Sequence, residues 1–272
     1  MALISCSVAA LLFASVLLAD ETAVTPLTNV HAHNDYEHKH PLFDALDQGF
    51  CSVEADVHLV DGKLLVAHDR SQVKPERTLQ ALYLEPLRKR AQANQGRIFA
   101  GAREFYLLID FKGDTDGTWK VLQPILEQYA DILTVFREDI TQTNAVTAVL
   151  TGEQPRAALT ALPVRRAALD GKIADLAGTA SSGLIPWISE NWSSHFKWRG
   201  WQEMPNDENL LLREIVTRAH QQGRKVRFWG GPDSPALWRA QLEAGVDLIN
   251  TDKLADLRKF LLTEHQPQGT DK

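Results

Sequence analysis

Four of the nine histidines lie in one short stretch, residues 29–40 (NVHAHNDYEHKH). His31 and His33 form an H-x-H pair, a spacing at which two imidazole side chains can bind one metal ion. Either side chain could instead transfer protons, because histidine is the residue whose ordinary pKa lies nearest neutrality. The stretch alone therefore predicts either a metal site or an acid–base site.

Acidic residues interrupt two apolar segments further along the chain. Glu54 and Asp56 lie two residues apart in the first segment, and Asp110 lies in the second, two residues before Lys112. Residues two apart on a strand share one face and lie roughly 6–7 Å apart, and neighbouring strands are about 4.8 Å apart. Three carboxylates that converge in this way repel one another unless a cation lies among them. One hard divalent ion, Mg²⁺ or Ca²⁺, suits such oxygen ligands.

These residues also have simpler explanations. Glu54 and Asp56 could lie on a solvated strand edge, since a half-exposed strand alternates charged and apolar residues. Asp110 and Lys112 could form a structural ion pair. The strands of a helix-covered parallel sheet leave no solvated outer face, so in such a fold the acids must face inward or lie at the mouth.

The elements that must position these residues alternate between strands and helices. Strands are predicted at residues 25–33, 51–60, 63–68, 105–111, 144–152, 156–162, 183–189, 225–230 and 246–252. Helices are predicted at residues 41–50, 78–94, 117–133, 208–223, 234–245 and 253–265. About eight strands that are mostly followed by helices predict a single (β/α)8 TIM barrel over residues 27–265. A doubly wound sheet is the alternative, but the glycine-rich phosphate loop that it would favour is missing from the sequence.

Composition restricts the class of partner. The formal net charge is −6 and the chain has no Lys/Arg-rich block, so we expect no nucleic acid partner. A small anionic substrate remains compatible, because a metal ion or one basic residue can outweigh the global charge. We expect a monomer.

The first 19 residues are apolar and small, and charge begins at Asp20. This pattern predicts a signal peptide at residues 1–19, cleaved near Ala19, and hence export to the periplasm or the extracellular space. A retained membrane anchor is the alternative. Of the two cysteines, Cys6 lies in this leader, so Cys51 has no internal disulfide partner after cleavage.

The segment 54–69 (EADVHLVDGKLLVAHD) resembles the E-x-D-V…D-G…V-x-x-H-D segment of glycerophosphodiester phosphodiesterases. These enzymes belong to the phospholipase C-like phosphodiesterases, a superfamily of (β/α)8 barrels that includes the sphingomyelinase D type. His33 precedes Glu54 by 21 residues and His68 by 35, which is similar to the spacing of the superfamily. The H-x-H-N-D-Y opening resembles the branch called altered inheritance of mitochondria protein 6-like.

The resemblance implies a metal-dependent phosphoric diester hydrolase that acts on a small phosphodiester or a lipid headgroup. It implies that His33 and His68 are the catalytic pair and that Glu54, Asp56 and Asp110 bind the metal ion. The sequence departs from glycerophosphodiesterases where they have Arg-Gly after the first histidine, because Asn34 and Asp35 stand there. Asp110 in an "IDFK" setting is closer to the sphingomyelinase D type.

Other residues are candidates for substrate contact. Asn34 and Lys112 could hold phosphate oxygens, and His31 is expected beside the pocket. Trp229 and Asn250 lie at late strand ends, where barrel enzymes bind substrates. Three tryptophans follow the strand predicted at 183–189 and could line a headgroup pocket, touch a membrane surface transiently, or pin the loop to the barrel; they are Trp192, Trp198 and Trp201.

Two other functions are compatible with the sequence. A barrel hydrolase of the amidohydrolase or PHP type would use His31 and His33 as metal ligands, although it would want further histidines at later strand ends. A barrel that binds but does not turn over its ligand is the second alternative. The intact set of histidines and carboxylates gives that alternative little support.

Overall fold

The computed structural model describes residues 24–102, 104–137 and 140–264. The strands are β1 Val30–Ala32, β2 Ser52–Val60, β3 Lys63–Val66, β4 Tyr106–Phe111, β5 Val135–Arg137, β6 Ile140–Gln142, β7 Thr147–Gly152, β8 Val164–Arg165, β9 Ala167–Gly171, β10 Trp187–Asn191, β11 Lys225–Trp229 and β12 Leu248–Thr251. The helices are α1 Phe43–Asp47, α2 Glu85–Ala93, α3 Thr115–Gln128, α4 Arg156–Thr160, α5 Trp192–His195, α6 Asn206–Gln221, α7 Pro235–Ala244 and α8 Leu254–Glu264. A π-helical turn, Gln80–Leu84, leads directly into α2.

Eight parallel strands close into a barrel. Their order around the barrel is β1, β2, β4, β7, β9, β10, β11 and β12, which is also their order along the chain. β1 closes the ring because it pairs in parallel with β12 on one side and with β2 on the other. β3 pairs antiparallel with the carboxyl-terminal half of β2, from Val57 to Val60. The prediction of a (β/α)8 barrel is confirmed.

The barrel strands are apolar on the face that packs against the helices. On β2, Val53, Ala55 and Val57 pack outward into the main hydrophobic core with the helices. Residues of the opposite parity point into the barrel, where a second, smaller cluster fills the interior. That cluster consists of Tyr106, Leu108, Val149, Trp187 and Leu248.

Polar residues replace apolar ones inside the barrel towards the carboxyl ends of the strands. On β4, Tyr106 and Leu108 belong to the interior cluster, and the next inward residue is Asp110. On β2 the inward residues are polar throughout, since Ser52 is followed by Glu54 and Asp56. The polar residues thus gather at the end of the barrel where TIM-barrel enzymes bind their substrates.

One predicted strand is wrong and four of the described strands were missed: β9 of the barrel, and β5, β6 and β8, which form a separate small sheet. Residues 156–162 were predicted to be a strand, but α4 lies there. Alanine and leucine have high helix propensity, and Pro155 directly before α4 favours a helix start. The strand that completes the barrel is β9, whose run of five residues is too short to show a clear period.

The predicted signal peptide, residues 1–19, lies outside the described residues. Within the described part of the chain, no helix combines the length and the apolarity needed to cross a membrane.

Candidate active site

A cavity of about 870 Å³ lies at the carboxyl ends of the barrel strands. It brings together eight of the ten residues that the sequence singled out. They are His33, Asn34, Glu54, Asp56, His68, Asp110, Lys112 and Trp229.

The three carboxylates converge as the strand pattern predicted. β2 and β4 pair so that Asp56 lies opposite Asp110, with Glu54 one inward position earlier on β2. One oxygen of each of the three lies within 4.8 Å of the others. Burial, together with the charges of Glu54 and Asp110, raises the pKa of Asp56 to about 6. Burial also raises the pKa of Asp110, against the effect of Lys112. These carboxylates are therefore arranged in a way that a cation would stabilise.

Lys112 contributes one positive charge to this cluster. Its Nζ lies 2.9 Å from Asp56 Oδ2 and 2.9 Å from Asp110 Oδ2. Burial alone would lower the pKa of Lys112, but the two carboxylates outweigh it and raise that pKa. The ion pair between Asp110 and Lys112 that the sequence left open is thus present, and it lies inside the cavity rather than apart from it.

His33 is held between two acids at the cavity wall. Its Nδ1 lies 2.8 Å from Asp252 Oδ1, and its Nε2 lies 3.7 Å from Glu54 Oε2. Burial opposes protonation of His33, but the hydrogen bond to Asp252 and the charge of Glu54 outweigh it and raise the pKa of His33. Asn34 fixes both acids, because its backbone N–H donates to Glu54 Oε2 at 3.2 Å and its side-chain amide donates to Asp252 Oδ1 at 3.2 Å.

His68 lies on the other side of the carboxylates, next to Tyr36. The ring of His68 stacks on the ring of Tyr36, with centroids 6.5 Å apart. The Tyr36 hydroxyl donates to Asp56 Oδ2 at 2.6 Å and lies 3.1 Å from His68 Nδ1. Burial and the charge of Asp56 raise the pKa of Tyr36, so this hydroxyl keeps its proton.

His31 does not reach the cavity. The residue is 0% exposed, and both of its ring nitrogens are engaged. Nδ1 lies 2.7 Å from Ser52 Oγ, and Nε2 lies 2.6 Å from Arg227 Nη1. Burial and the charge of Arg227 lower the pKa of His31 well below its ordinary value. His31 was expected beside the pocket, and it lies behind the wall without a surface that could contact substrate. Its Nε2 faces a guanidinium and is therefore not placed to bind a metal ion.

Asn250 also lies away from the cavity wall, although Trp229 lines it. Asn250 pairs in register with His31, and its Oδ1 is buried without a hydrogen-bond partner in the described part of the chain. Asn250 does lie near the carboxyl end of a barrel strand, as predicted. The cavity wall there is formed by Trp229 of the adjacent strand β11 and not by Asn250.

The tryptophans after β10 mostly pin the loop. Trp192 and Trp198 are buried, and the indole N–H of each donates to a backbone carbonyl, of Trp198 and Trp201 respectively. Neither lines the cavity, so the headgroup-pocket interpretation of these two residues is wrong. Trp201 differs, because 82% of its surface is exposed.

The sequence did not single out three further residues of the site. Asp252 lies directly after β12, and Arg227 lies in β11 two residues before Trp229. Tyr36 stands in the H-N-D-Y stretch, where it resembles a loop residue. An arginine at an inward position of a barrel strand was the signal that could have identified Arg227.

Profiles of known families match two parts of the chain. The profile described as "AIM6-like phosphodiesterase domain" matches residues 20–169. The profile described as "Glycerophosphoryl diester phosphodiesterase family" matches residues 225–255. The second match covers β11 and β12, and β11 contributes Arg227 and Trp229 to the cavity wall.

Similar proteins come from the same family as the first profile. Altered inheritance of mitochondria protein 6 of Eremothecium gossypii is 33% identical over 87% of this chain and 70% of its own length. The homologue of Arthroderma benhamiae is 30% identical over 82% of this chain and 80% of its own length.

Two solved structures share the fold. A glycerophosphodiester phosphodiesterase of Parabacteroides distasonis matches 89% of this chain and 100% of its own with a TM-score of 0.53 at 15% identity. One from Agrobacterium tumefaciens matches 87% of this chain and 100% of its own with a TM-score of 0.52 at 16% identity. From the family profile and the relatives, the chain belongs to the AIM6-like phosphodiesterase domain family.

Proposed function

We propose that the protein is a metal-dependent phosphoric diester hydrolase. One observation carries the proposal: two histidines and three carboxylates, distant in sequence, line one cavity at the carboxyl end of a TIM barrel. Each histidine is paired with a different acid, since His33 contacts Asp252 and His68 contacts Asp56. Such an arrangement supplies two independently oriented proton-transfer groups beside a cluster of metal-binding oxygens.

The carboxylates fit one divalent ion. Glu54, Asp56 and Asp110 each offer an oxygen within 4.8 Å of the other two, and burial raises the pKa of Asp56 and of Asp110. All three donors are hard oxygens, the type that Mg²⁺ and Ca²⁺ prefer. When bound, such an ion neutralises phosphoryl oxygens and stabilises the charge that develops during the reaction.

The protein's own groups account for the proton transfers. One of His33 and His68 takes the proton of the attacking hydroxyl or forms the bond to phosphorus itself, and the other gives a proton to the departing alkoxide. Lys112 and Asn34 lie in the same wall. After its two carboxylate contacts Lys112 has one N–H group left for a non-bridging phosphoryl oxygen, whereas Asn34 would have to exchange a present contact to bind one. Hydrolysis and internal cyclisation use these same groups, and they differ only in which hydroxyl attacks.

The cavity favours a substrate larger than a bare phosphate. At about 870 Å³ it has room for an alcohol group on the phosphodiester, and Trp229 offers an apolar surface at its wall. A small phosphodiester or a lipid headgroup fits this description.

The exposed Trp201 supports transient contact with a membrane surface, because a tryptophan is favourable at the boundary between water and lipid. The expected result is that Trp201→Ala weakens sedimentation with phosphatidylcholine vesicles while hydrolysis of a soluble diester is kept. Equal sedimentation of both proteins would reject the contact.

The amidohydrolase or PHP alternative is less well supported. It needs His31 as a metal ligand, but Ser52 and Arg227 engage both ring nitrogens of His31. Metal analysis of a His31→Ala protein separates the two functions. The amidohydrolase or PHP type would lose its metal ion in this variant, whereas a site built on Glu54, Asp56 and Asp110 would keep it.

Turnover of bis(p-nitrophenyl) phosphate tests the proposal. We expect His33→Asn and His68→Asn each to lower kcat by roughly 100-fold or more, because positioned acid–base groups contribute about that much. His220→Asn is the matched control, since His220 also pairs with an aspartate, Asp247 at 2.8 Å, but does not line the cavity. Full activity of both His33→Asn and His68→Asn would reject the proposal, and an inactive wild-type protein across a panel of diesters would favour the binding barrel.

A further inference from the structure

We propose that Arg227 binds a non-bridging oxygen of the reacting phosphoryl group and that His31 holds the guanidinium in place for this contact. The inference deepens the proposed function and rests on it for the identity of the anion. It assigns a binding role to Arg227 and a positioning role to His31.

Arg227 is a buried cation that makes no direct ion pair with a described residue, although the charges of Asp170 and Asp110 act on it from a greater distance. It lines the cavity from β11, and only 3% of its surface is exposed. Among the described residues, no carboxylate oxygen lies within 4.0 Å of its guanidinium, and its Nε is buried without a hydrogen-bond partner. A buried charge of this kind is costly unless something pairs with it. Because Arg227 lines the cavity, an anion that enters there can supply the direct partner that the guanidinium lacks.

The other two cations of the cavity differ from Arg227. Lys112 is engaged by two carboxylates at 2.9 Å each. Lys172 is exposed and donates to the backbone carbonyl of Ser189 at 3.1 Å. Arg227 is therefore the buried cation of the wall that has N–H groups left for a ligand. A guanidinium also presents these groups as a planar fork that matches two phosphoryl oxygens.

His31 determines where this guanidinium lies. Arginine can only donate, so the Arg227 Nη1–H donates to the His31 Nε2 lone pair at 2.6 Å. The ring proton must then be on Nδ1, from which it donates to Ser52 Oγ at 2.7 Å. Ser52 and His31 are both fully buried, so packing holds their side chains in place and they in turn hold the guanidinium of Arg227.

The same contacts place the guanidinium beside the carboxylate cluster. His31 Nε2, the atom that accepts from Arg227, lies 4.0 Å from Glu54 Oε2. A phosphoryl group bound at the carboxylates would consequently have Arg227 on one side and Lys112 on the other. The strands that carry these two residues, β11 and β4, lie on different sides of the barrel.

Calorimetric titration of the full chain with inorganic phosphate, in the presence of Mg²⁺, tests the proposal without turnover. We expect Arg227→Gln to bind phosphate about 10- to 100-fold more weakly, which is the effect of losing one hydrogen-bonded charge. Arg227→Lys should recover only part of the affinity, because an ammonium cannot reproduce the fork.

Two further variants keep the test decisive. Arg224→Gln removes another buried arginine, whose partners are the backbone carbonyls of Asp175 and Ala180, and should lose thermal stability but keep phosphate binding. His31→Leu should weaken binding, and His31→Gln, whose amide oxygen can still accept from Arg227, should restore much of it.

Phosphate affinity of Arg227→Gln within twofold of the wild type, or no phosphate binding by the wild type, would overturn the inference. Turnover reports separately on the proposed function. An inactive wild-type protein whose phosphate binding depends on Arg227 would refute hydrolysis and keep the anion site. An active enzyme indifferent to Arg227→Gln in both assays would keep hydrolysis and refute the role of Arg227.

Discussion

The Tyr36 hydroxyl donates to Asp56 Oδ2 at 2.6 Å. Asp56 is one of the three clustered carboxylates, and the same hydroxyl lies 3.1 Å from His68 Nδ1. One buried phenol thereby connects an oxygen of the proposed metal site with one of the two proposed acid–base residues. Groups that orient metal ligands from behind have large effects on metal affinity and activity.

We expect Tyr36→Phe to lower kcat/KM by about 10- to 100-fold and to weaken metal binding, with a small change in Tm, because only the hydroxyl is removed. Steady-state kinetics and metal titration measure both effects. Tyr106→Phe is the control, since it loses a similar 2.7 Å hydrogen bond to a carboxylate, Glu104, at the other end of β4. Equal losses in the two variants would show that the effect is general destabilisation.

Asp252 should set the pH at which His33 titrates. Its hydrogen bond raises the pKa of His33 against the effect of burial. In Asp252→Asn this support is lost, so the limb of the kcat/KM profile that belongs to His33 should move to lower pH. Asp44→Asn, which breaks the exposed pair with His40, should leave the profile in place. If the pH profile of kcat/KM is the same in Asp252→Asn as in the wild type, His33 does not take part in the rate-determining proton transfer.

Asp35 should make the folded state less stable as pH rises. Burial raises its pKa from 3.8 to about 7, although hydrogen bonds from Tyr83 and Leu42 act in the opposite direction. Between those values the folded protein holds a proton that the unfolded chain releases, so stability present in acid is lost as the pH rises through about 7. Asp35→Asn keeps the acceptor for the Leu42 N–H and lacks this titration.

Denaturant titrations from pH 4 to 8 check this expectation. The wild-type protein should lose roughly 2–4 kcal/mol of unfolding free energy relative to Asp35→Asn across that range. Parallel stability curves for the two proteins would contradict the raised pKa.

A bound divalent ion should stabilise the fold. At a free concentration 100 times its Kd, Mg²⁺ or Ca²⁺ should add about 2.7 kcal/mol to the free energy of unfolding. Asp110→Asn should lose this gain, whereas Asp131→Asn, which only breaks an exposed pair with Arg88, should keep it. Thermal unfolding with and without a chelator measures the difference.

Local pattern was sufficient to predict the barrel and the carboxylate cluster. Glu54, Asp56 and Asp110 follow apolar strand residues at fixed parity, so strand geometry alone brings them together. The contacts that join distant strands do not follow from such a pattern. His31 resembled a pocket residue because its inward parity is visible in the sequence, but its burial depends on Arg227, which is 196 residues away. The partner of His33, Asp252, is 219 residues away and lies outside any strand.

Phosphorus NMR of a phosphodiester incubated with the protein tests the central claim most directly. The signal should convert to that of a monoester or a cyclic product when Mg²⁺ or Ca²⁺ is present, stop on addition of a chelator, and resume when the ion is restored. Glu54→Gln should show no conversion, and Glu104→Gln, whose carboxylate lies at the opposite end of the barrel, should behave as the wild type. Conversion that continues in the chelator, or that proceeds at the wild-type rate in Glu54→Gln, would contradict a metal-dependent phosphodiesterase at this site.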